Sequence, residues 1–364
     1  MSQKSRLNGI DLFRGFAVYA VILLHVDEPI KSSPLGWSWL LEFSKFAVPF
    51  FLATAFYFNF QKQYDKLTKP FPIGSRLLRL LIPYCTWTVI YLAYKVTKYG
   101  IDRDLDKVGQ LFEDPFQLIL TGGAAFQLYF IPLLMTGTAL VWLMINLTKQ
   151  KLSPALLGAI TVVGLGLYQW LIASGNTFNN SEGIAFEQLL PLSSINSAFI
   201  TVLLRGILVA VAWLIRCFPY ITIAMLLGNH RLHAKLFEFK ASSLGLAIVS
   251  FLVINGFGIH FLPAAIYEIL RGYITLCLGL FLSEKIPDQS WIRSLGNAAF
   301  GIYLIHLILV ESFYIVIGRV FPTWIDQVST FSLLLLSVLI LLLSWMITTF
   351  LDRIPRSSKL LFGA

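Results

Sequence analysis

"DLFRGFAVYAVILLH", residues 11–25, is apolar enough to cross a bilayer, yet it carries an arginine near one end and a histidine at the other. A charge on a helix in hydrocarbon costs several kcal/mol, so such residues turn toward a protein interior or a wet cavity. Arg14 and His25 stand eleven positions apart, about three turns at roughly 3.6 residues each. They therefore share one helix face, separated by about 16 Å at roughly 1.5 Å per residue. This is a polar stripe on an apolar rod.

Working outward, the same apolar character fills the chain. Of 364 residues, 57% are hydrophobic and 13% charged, with mean hydropathy +0.75, where a soluble globular chain carries about 25% charge. The apolar runs are continuous and do not alternate with polar residues as barrel strands do. Windows of about 20 residues predict ten helices, near 9–27, 39–60, 79–98, 127–147, 154–173, 201–228, 243–260, 264–283, 297–317 and 329–351. The expected fold is an all-α polytopic bundle over residues 1–351, with a short basic tail at 352–364. Arg205, Arg216 and Pro219 interrupt the sixth run, which predicts an interfacial piece and then a short kinked span. "PFQLILTGG", residues 115–123, is too short to cross and reads as a re-entrant or loop element.

Sidedness follows from the basic residues. With both termini placed in the cytoplasm, 17 lysines and arginines fall in inner segments, 6 in outer ones and 5 within helices. The positive-inside rule favours that orientation. The net charge of +9 is then mostly attraction to an anionic inner leaflet, and no nucleic-acid partner is expected. Lys4 and Arg6 ahead of the first run resemble a signal peptide, but "HVDEPIKSSPLGW" follows instead of a small-residue cleavage site, so a retained span is expected. No repeat of 20 to 50 residues is evident and no soluble domain is appended. Cys85, Cys217 and Cys277 are odd in number and fall in or beside apolar runs, so they read as small buried hydrophobes. No phosphate loop, dinucleotide fingerprint or zinc pattern appears, and neither a metal site nor a resident cofactor is expected.

The residues left to carry chemistry have two readings each. Arg14 either serves a site or pairs with Asp11, three residues back on its face; His25 either serves a site or ends a helix at the interface, just before Asp27 and Glu28. In the ninth run His306 lies mid-span, one turn after Tyr303 and five residues before Glu311. Glu268 and Arg271 are spaced to pair across one turn. Arg76 and Arg79 in "RLLRLLIP" stand at the inner mouth of the third run, as topology anchors or as bidentate phosphate grips, and Arg216 falls within the sixth. His230 and His233 read as solvated loop residues, and His260 as part of a turn.

Taken in order, these pieces resemble the membrane acyltransferase-3 family of bacterial multi-span O-acyltransferases. The carriers are Arg14 and His25 in "LFRGFAVYAVILLH", then "FFLATAF" at 50–56, "RLLRLLIPY" at 76–84, "QLYFIPLL" at 127–134 and "FGIYLIH" at 300–306. Thr54 and Ala55 replace the family's serine and glycine in the second element, and Tyr129 replaces its tryptophan in the fourth. The resemblance implies transfer of an acyl group, most often acetyl from acetyl-CoA, to a hydroxyl of a polysaccharide, glycolipid or other sugar-bearing acceptor at a bacterial inner membrane. It implies that His25 is catalytic and Arg14 required. On that basis Arg76, Arg79 and Arg216 are candidates to hold the acyl-CoA, and Thr54, Tyr129, Tyr303 and His306 to contact an oxyanion or the acceptor. The rise between Arg14 and His25 suits an extended pantetheine arm, and the outer loop at 174–197 is where acceptor selectivity is expected. Oligomeric state is left open. The rival reading is a secondary transporter or flippase relaying protons through intramembrane His, Arg and Glu, although the two halves show no matching pair of broken helices. A third is an assembly partner in a membrane complex.

Overall fold

The computed structural model describes residues 6–30, 33–64, 70–148, 152–174, 198–228, 241–321 and 328–363. Among them the fold is all-helical, with ten helical segments long and apolar enough to cross a membrane. In hydrocarbon the backbone must satisfy its own polar groups, and a helix does so within one segment. Threonine and serine hydroxyls in the spans follow the same rule, as in Thr88, Thr138 and Ser337, each of which donates to the carbonyl four residues back.

In chain order the helices are α1 (Asn8–Val26), α2 (Trp37–Ser44), α3 (Ala47–Tyr64), α4 (Ile73–Ile101), α5 (Leu105–Gln110), α6 (Pro115–Leu120), α7 (Phe130–Thr148), α8 (Pro154–Ala173), α9 (Ala198–Gly228), α10 (Ala241–Phe257), α11 (Ala264–Ser283), α12 (Ser290–Val320) and α13 (Thr330–Asp352). A short turn at Pro355–Ser357 and a π-turn at Ser358–Phe362 follow. Local chemistry sets several starts. Ser153 accepts from the Leu156 amide with Pro154 in the first turn, and Asp114 accepts from the Gln117 amide with Pro115 likewise placed. Ser329 and Ser332 satisfy each other's amides at the head of α13.

Three expectations change. The third span begins at Ile73 and the ninth at Ser290, each about two turns before its apolar run, so Arg76, Arg79 and Arg293 are helical. Long basic side chains permit this, because their stems lie on apolar surface while the charge reaches out. The sixth span is one continuous helix with Pro219 inside it, not an interfacial piece and a short span. Its charge is accommodated: Arg205 pairs with Asp114 at 3.0 Å, and Arg216 is buried with partners. Of the cysteines only Cys217 is buried; Cys85 is exposed and Cys277 intermediate, and all three are free thiols.

The chain forms two compact units. The first comprises Met1–Thr54, Ala234–Pro263 and Tyr267–Ser358; the second comprises Ala55–His233, Ala264–Ile266 and Lys359–Ala364. In the first, α1 is the central rod, packed on α12 and α13. Helices α1 and α12 run parallel, since Asp11 meets Gly296 near their starts and Tyr314 Oη donates to the Val26 carbonyl, 2.7 Å, near the end of α1. A Cβ on Gly296 would come within 2.5 Å of the Asp11 Cβ, so only glycine permits this approach. Helix α11 runs antiparallel to α1 beside it, with the Gly9 amide donating to Ser283 Oγ at 3.0 Å. Phe13 joins Phe50 and Phe251 in an aromatic cluster that extends to Phe43 and Phe46.

The second unit has its own packing. Helices α8 and α9 lie together, joined by a Thr161–Thr222 hydroxyl bond of 2.9 Å and a small core of Tyr168, Leu171, Ala212 and Ala265. The short segment at 115–123 is a one-and-a-half-turn helix pinned to α4. Tyr84 Oη donates to the Ile119 carbonyl at 2.8 Å and accepts from the Gly122 amide at 2.9 Å. Beyond the last span, the Leu361 carbonyl accepts from Trp87 Nε1 at 2.9 Å.

Candidate active site

The first unit gathers most of the polar residues singled out above, and α1 divides them between its two ends. At the N-terminal end Asp11, 4% exposed, is shared. Arg6 Nε donates to its Oδ2 at 2.6 Å, and Arg14 Nη1 to its Oδ1 at 3.4 Å. Arg6 also reaches Asn297 Oδ1 on α12 at 2.6 Å. The pairing of Arg14 with Asp11 is therefore real but long, and the Arg14 side chain is 37% exposed. A guanidinium has five donors, so this one contact leaves Arg14 able to take an anion as well.

At the other end, His25 is buried at the last turn of α1. Its Nδ1 lies 2.7 Å from Glu28 Oε1. A carboxylate at that distance accepts the Nδ1 proton, which assigns the neutral ring the tautomer with its lone pair on Nε2. The turn beyond is clamped by Trp37 Nε1 donating to Asp27 Oδ1 at 2.6 Å and by Tyr314 holding the Val26 carbonyl. The last turn of α1 and its exit are thus fixed from α2 and α12, and His25 is fixed with them.

Facing it on α12 is a second imidazole. His306 is fully buried, and the two ring centroids are 5.1 Å apart with planes tilted by 48°. His306 Nδ1 lies 3.3 Å from the Ile302 carbonyl, one turn back, which makes Nδ1 the donor. Its Nε2 is buried and makes no hydrogen bond among the described residues. Tyr303 is packed on the same ring at 6.0 Å. Helical spacing foretold the Tyr303–His306 neighbours; that His25 and His306 meet is a product of the parallel packing of α1 and α12.

The predicted Glu268–Arg271 pair gives way to another arrangement. Arg271, 4% exposed, donates to Glu42 Oε1 at 2.6 Å and to the Glu42 carbonyl at 3.0 Å, and it also bonds the Tyr267 hydroxyl, whose ring it covers at 3.8 Å. Lys45 takes the other Glu42 oxygen at 2.7 Å. Carboxylate choice follows geometry: Glu42 offers one carboxylate oxygen and its backbone carbonyl to the buried cation, while Glu268 makes its contacts elsewhere. Thr54, also in this unit, is buried with its hydroxyl oxygen unbonded among the described residues.

Arg76, Arg79, Arg216 and Tyr129 belong to the second unit. Arg76 stacks over Phe71 at 4.4 Å from the ring centre, Arg79 is exposed, Arg216 is buried in α9 and Tyr129 is half-buried in a 3-10 turn before α7. His260 is exposed in a 3-10 turn after α10. His230, His233 and the loop at 175–197 lie outside the described residues. No group of His, Cys, Asp and Glu suited to a metal ion occurs among the described residues.

A buried imidazole fixed by a carboxylate, on the first of ten apolar spans, defines a multi-pass membrane protein with a polar site inside it. The chain belongs to the acyltransferase-3 family: the family's model, described as an acyltransferase domain, matches residues 7–349. Among curated proteins, a stretch of 175 residues, 46% of this chain, is 27% identical to an amino-acid racemase of Enterococcus faecalis. That stretch covers 24% of the racemase, so the likeness takes in about a quarter of that protein. No solved structure matches the chain.

Proposed function

We propose that this protein moves an acyl group, acetyl in the first instance, from a cytosolic acyl-CoA to a hydroxyl of a polysaccharide, glycolipid or other sugar-bearing acceptor. The observation that carries the reading is the His25–Glu28 pair at 2.7 Å. It leaves a lone pair on a buried imidazole Nε2, the arrangement a general base requires. Arg14 stands about three turns toward the other end of the same face, half-exposed and with donors to spare.

In the proposed reaction the acceptor hydroxyl gives its proton to His25 Nε2 as its oxygen attacks the thioester carbon. The C–S bond then breaks and CoA leaves as a thiolate, which takes the proton back from the imidazolium. Glu28 keeps the ring in the right tautomer and offsets the positive charge while it lasts, as the third member of a catalytic triad does. Arg14 binds an anionic or carbonyl part of the donor near the cytoplasmic mouth. In the second unit Arg76 and Arg79 are the candidates to bind phosphate as charge-assisted donors, and Arg216 lies buried within α9. Thr54, whose buried hydroxyl is unbonded among the described residues, is the candidate to donate to the oxyanion, with Tyr303 as a further contact.

If α1 starts at the inner surface, His25 stands about 24 Å up a core roughly 30 Å thick, which favours an acceptor approaching from the outer half of a bacterial inner membrane. The test is release of free CoA from acetyl-CoA by purified protein in sealed vesicles. Release should require acceptor on the outer face and vanish in His25→Ala. Equal modification of acceptor confined to the cytoplasmic face overturns the trans-membrane transfer, and acyl-CoA-independent movement of solute would favour a transporter.

A further inference from the structure

The second histidine sets a condition on the acceptor. His306 is 0% exposed, and its Nδ1 is committed to the Ile302 carbonyl at 3.3 Å. Its Nε2 can therefore only accept, and no described residue donates to it. A buried acceptor without a donor is destabilising, so the position is maintained at a cost that a ligand can relieve. An oxyanion, a phosphate or a carbonyl cannot fill it, because each of these is an acceptor too. That removes His306 from the candidates for oxyanion contact. What fits is an O–H or N–H group.

The neighbouring ring says which one. His25 lies with its centroid 5.1 Å from that of His306, so the two rings are close enough to be met by neighbouring groups of one ligand. An acceptor whose reacting hydroxyl meets His25 would place an adjacent substituent, not a distant one, beside His306. We propose that His306 Nε2 accepts a hydrogen bond from the hydroxyl or amine next to the one being acylated, and that the acceptor is accordingly a vicinal diol or vicinal amino alcohol. This rests on the assignment of His25 as the base. His306 moves no proton in the reaction; it orients the acceptor and rejects alcohols that lack the second donor. A site built to bond a substrate O–H rejects an analogue lacking it by about 10⁴–10⁵-fold in favourable cases, because its own polar atom is then left unpaired.

Three measurements decide the matter. The first needs no turnover: ¹⁵N spectra of histidine-labelled wild-type protein in lipid should show neutral His306 protonated at Nδ1. A ring protonated at Nε2 overturns the proposal, whatever the protein's activity. The second uses membranes of the cells that carry this chain as the acceptor pool and [¹⁴C]acetyl-CoA as donor. Periodate, which cleaves vicinal diols and vicinal amino alcohols, should lower label uptake at least tenfold when the membranes are treated and quenched beforehand; undiminished uptake sinks the idea. The third separates a specificity role from packing. His306→Leu should lower transfer about a hundredfold, chiefly through a raised KM for acceptor, while His306→Gln, whose Oε1 can take the same hydrogen bond, should recover most of it. Equal loss in both variants, with KM for acyl-CoA rising alongside, assigns His306 to packing and overturns the proposal. Failure of CoA release by the wild type would instead overturn the proposed transferase reaction, leaving the tautomer measurement to stand on its own.

Discussion

The two ends of α1 are built on opposite plans. At the N-terminal end two guanidiniums converge on one buried carboxylate, and Arg6 goes on to Asn297 of α12, so charge meets charge. At the C-terminal end the buried groups are lone pairs: His25 gives its proton to Glu28, His306 gives its own to a carbonyl, and the Nε2 of His306 faces no donor among the described residues. At one end Arg14 keeps donors that an anion can take; at the other His306 offers an acceptor that a ligand's donor would satisfy. The contrast sets spare donors at one end of a single helix against a buried acceptor at the other.

The largest effect that could break this contrast is expected at His25. His25→Ala should abolish CoA release, since general-base assistance alone contributes about 10²–10⁴-fold. Glu28→Gln should lower kcat by ~10–100-fold, less than removal of a fully buried triad carboxylate, because the Glu28 side chain is 55% exposed. Full activity in Glu28→Gln would show that the carboxylate does not set the ring. Next comes Arg14. Arg14→Lys keeps the charge beside Asp11 but loses the forked donor set, so KM for acyl-CoA should rise about tenfold with little change in thermal stability; an unaltered KM would return Arg14 to the ion-pair network alone.

Smaller effects fall on the N-terminal end. Asp11→Asn leaves Arg6 and Arg14 without a counter-charge, and both are partly solvated; a loss of about 1–3 kcal/mol is expected by thermal unfolding in detergent. If stability held while turnover vanished, Asp11 would act by positioning Arg14 and not by holding the fold. The smallest effect serves as a control in the second unit. Asp114→Ala removes the cap of α6 and the partner of Arg205, for about 1 kcal/mol and no change in KM for either substrate.

How far the sequence reaches can be judged residue by residue. The ten spans were legible because a bilayer fixes the length of an apolar run, and the Tyr303–His306 neighbours because helical spacing is regular. The pairing of His25 with Glu28 was open to view three residues away, yet Asp27 and Glu28 read equally well as exit-loop charges; deciding between them takes the side-chain direction. The meeting of His25 with His306, and the preference of Arg271 for Glu42 over Glu268, depend on which helices lie side by side, and no periodicity in one strand of sequence encodes that. The continuous sixth span was missed for a related reason: Arg205 looks unaffordable in an apolar run until Asp114, 91 positions earlier, is seen to meet it.

The parallel pairing of α1 with α12 also bears on how the protein is made. The bond from Tyr314 to the Val26 carbonyl joins residues 288 positions apart, so α1 waits for α12 to be made before its last turn is held. Nascent chains ending before the ninth span should enter the bilayer and yet lack a functioning centre. Until α12 is in place, the turn that carries His25 lacks one of its two clamps.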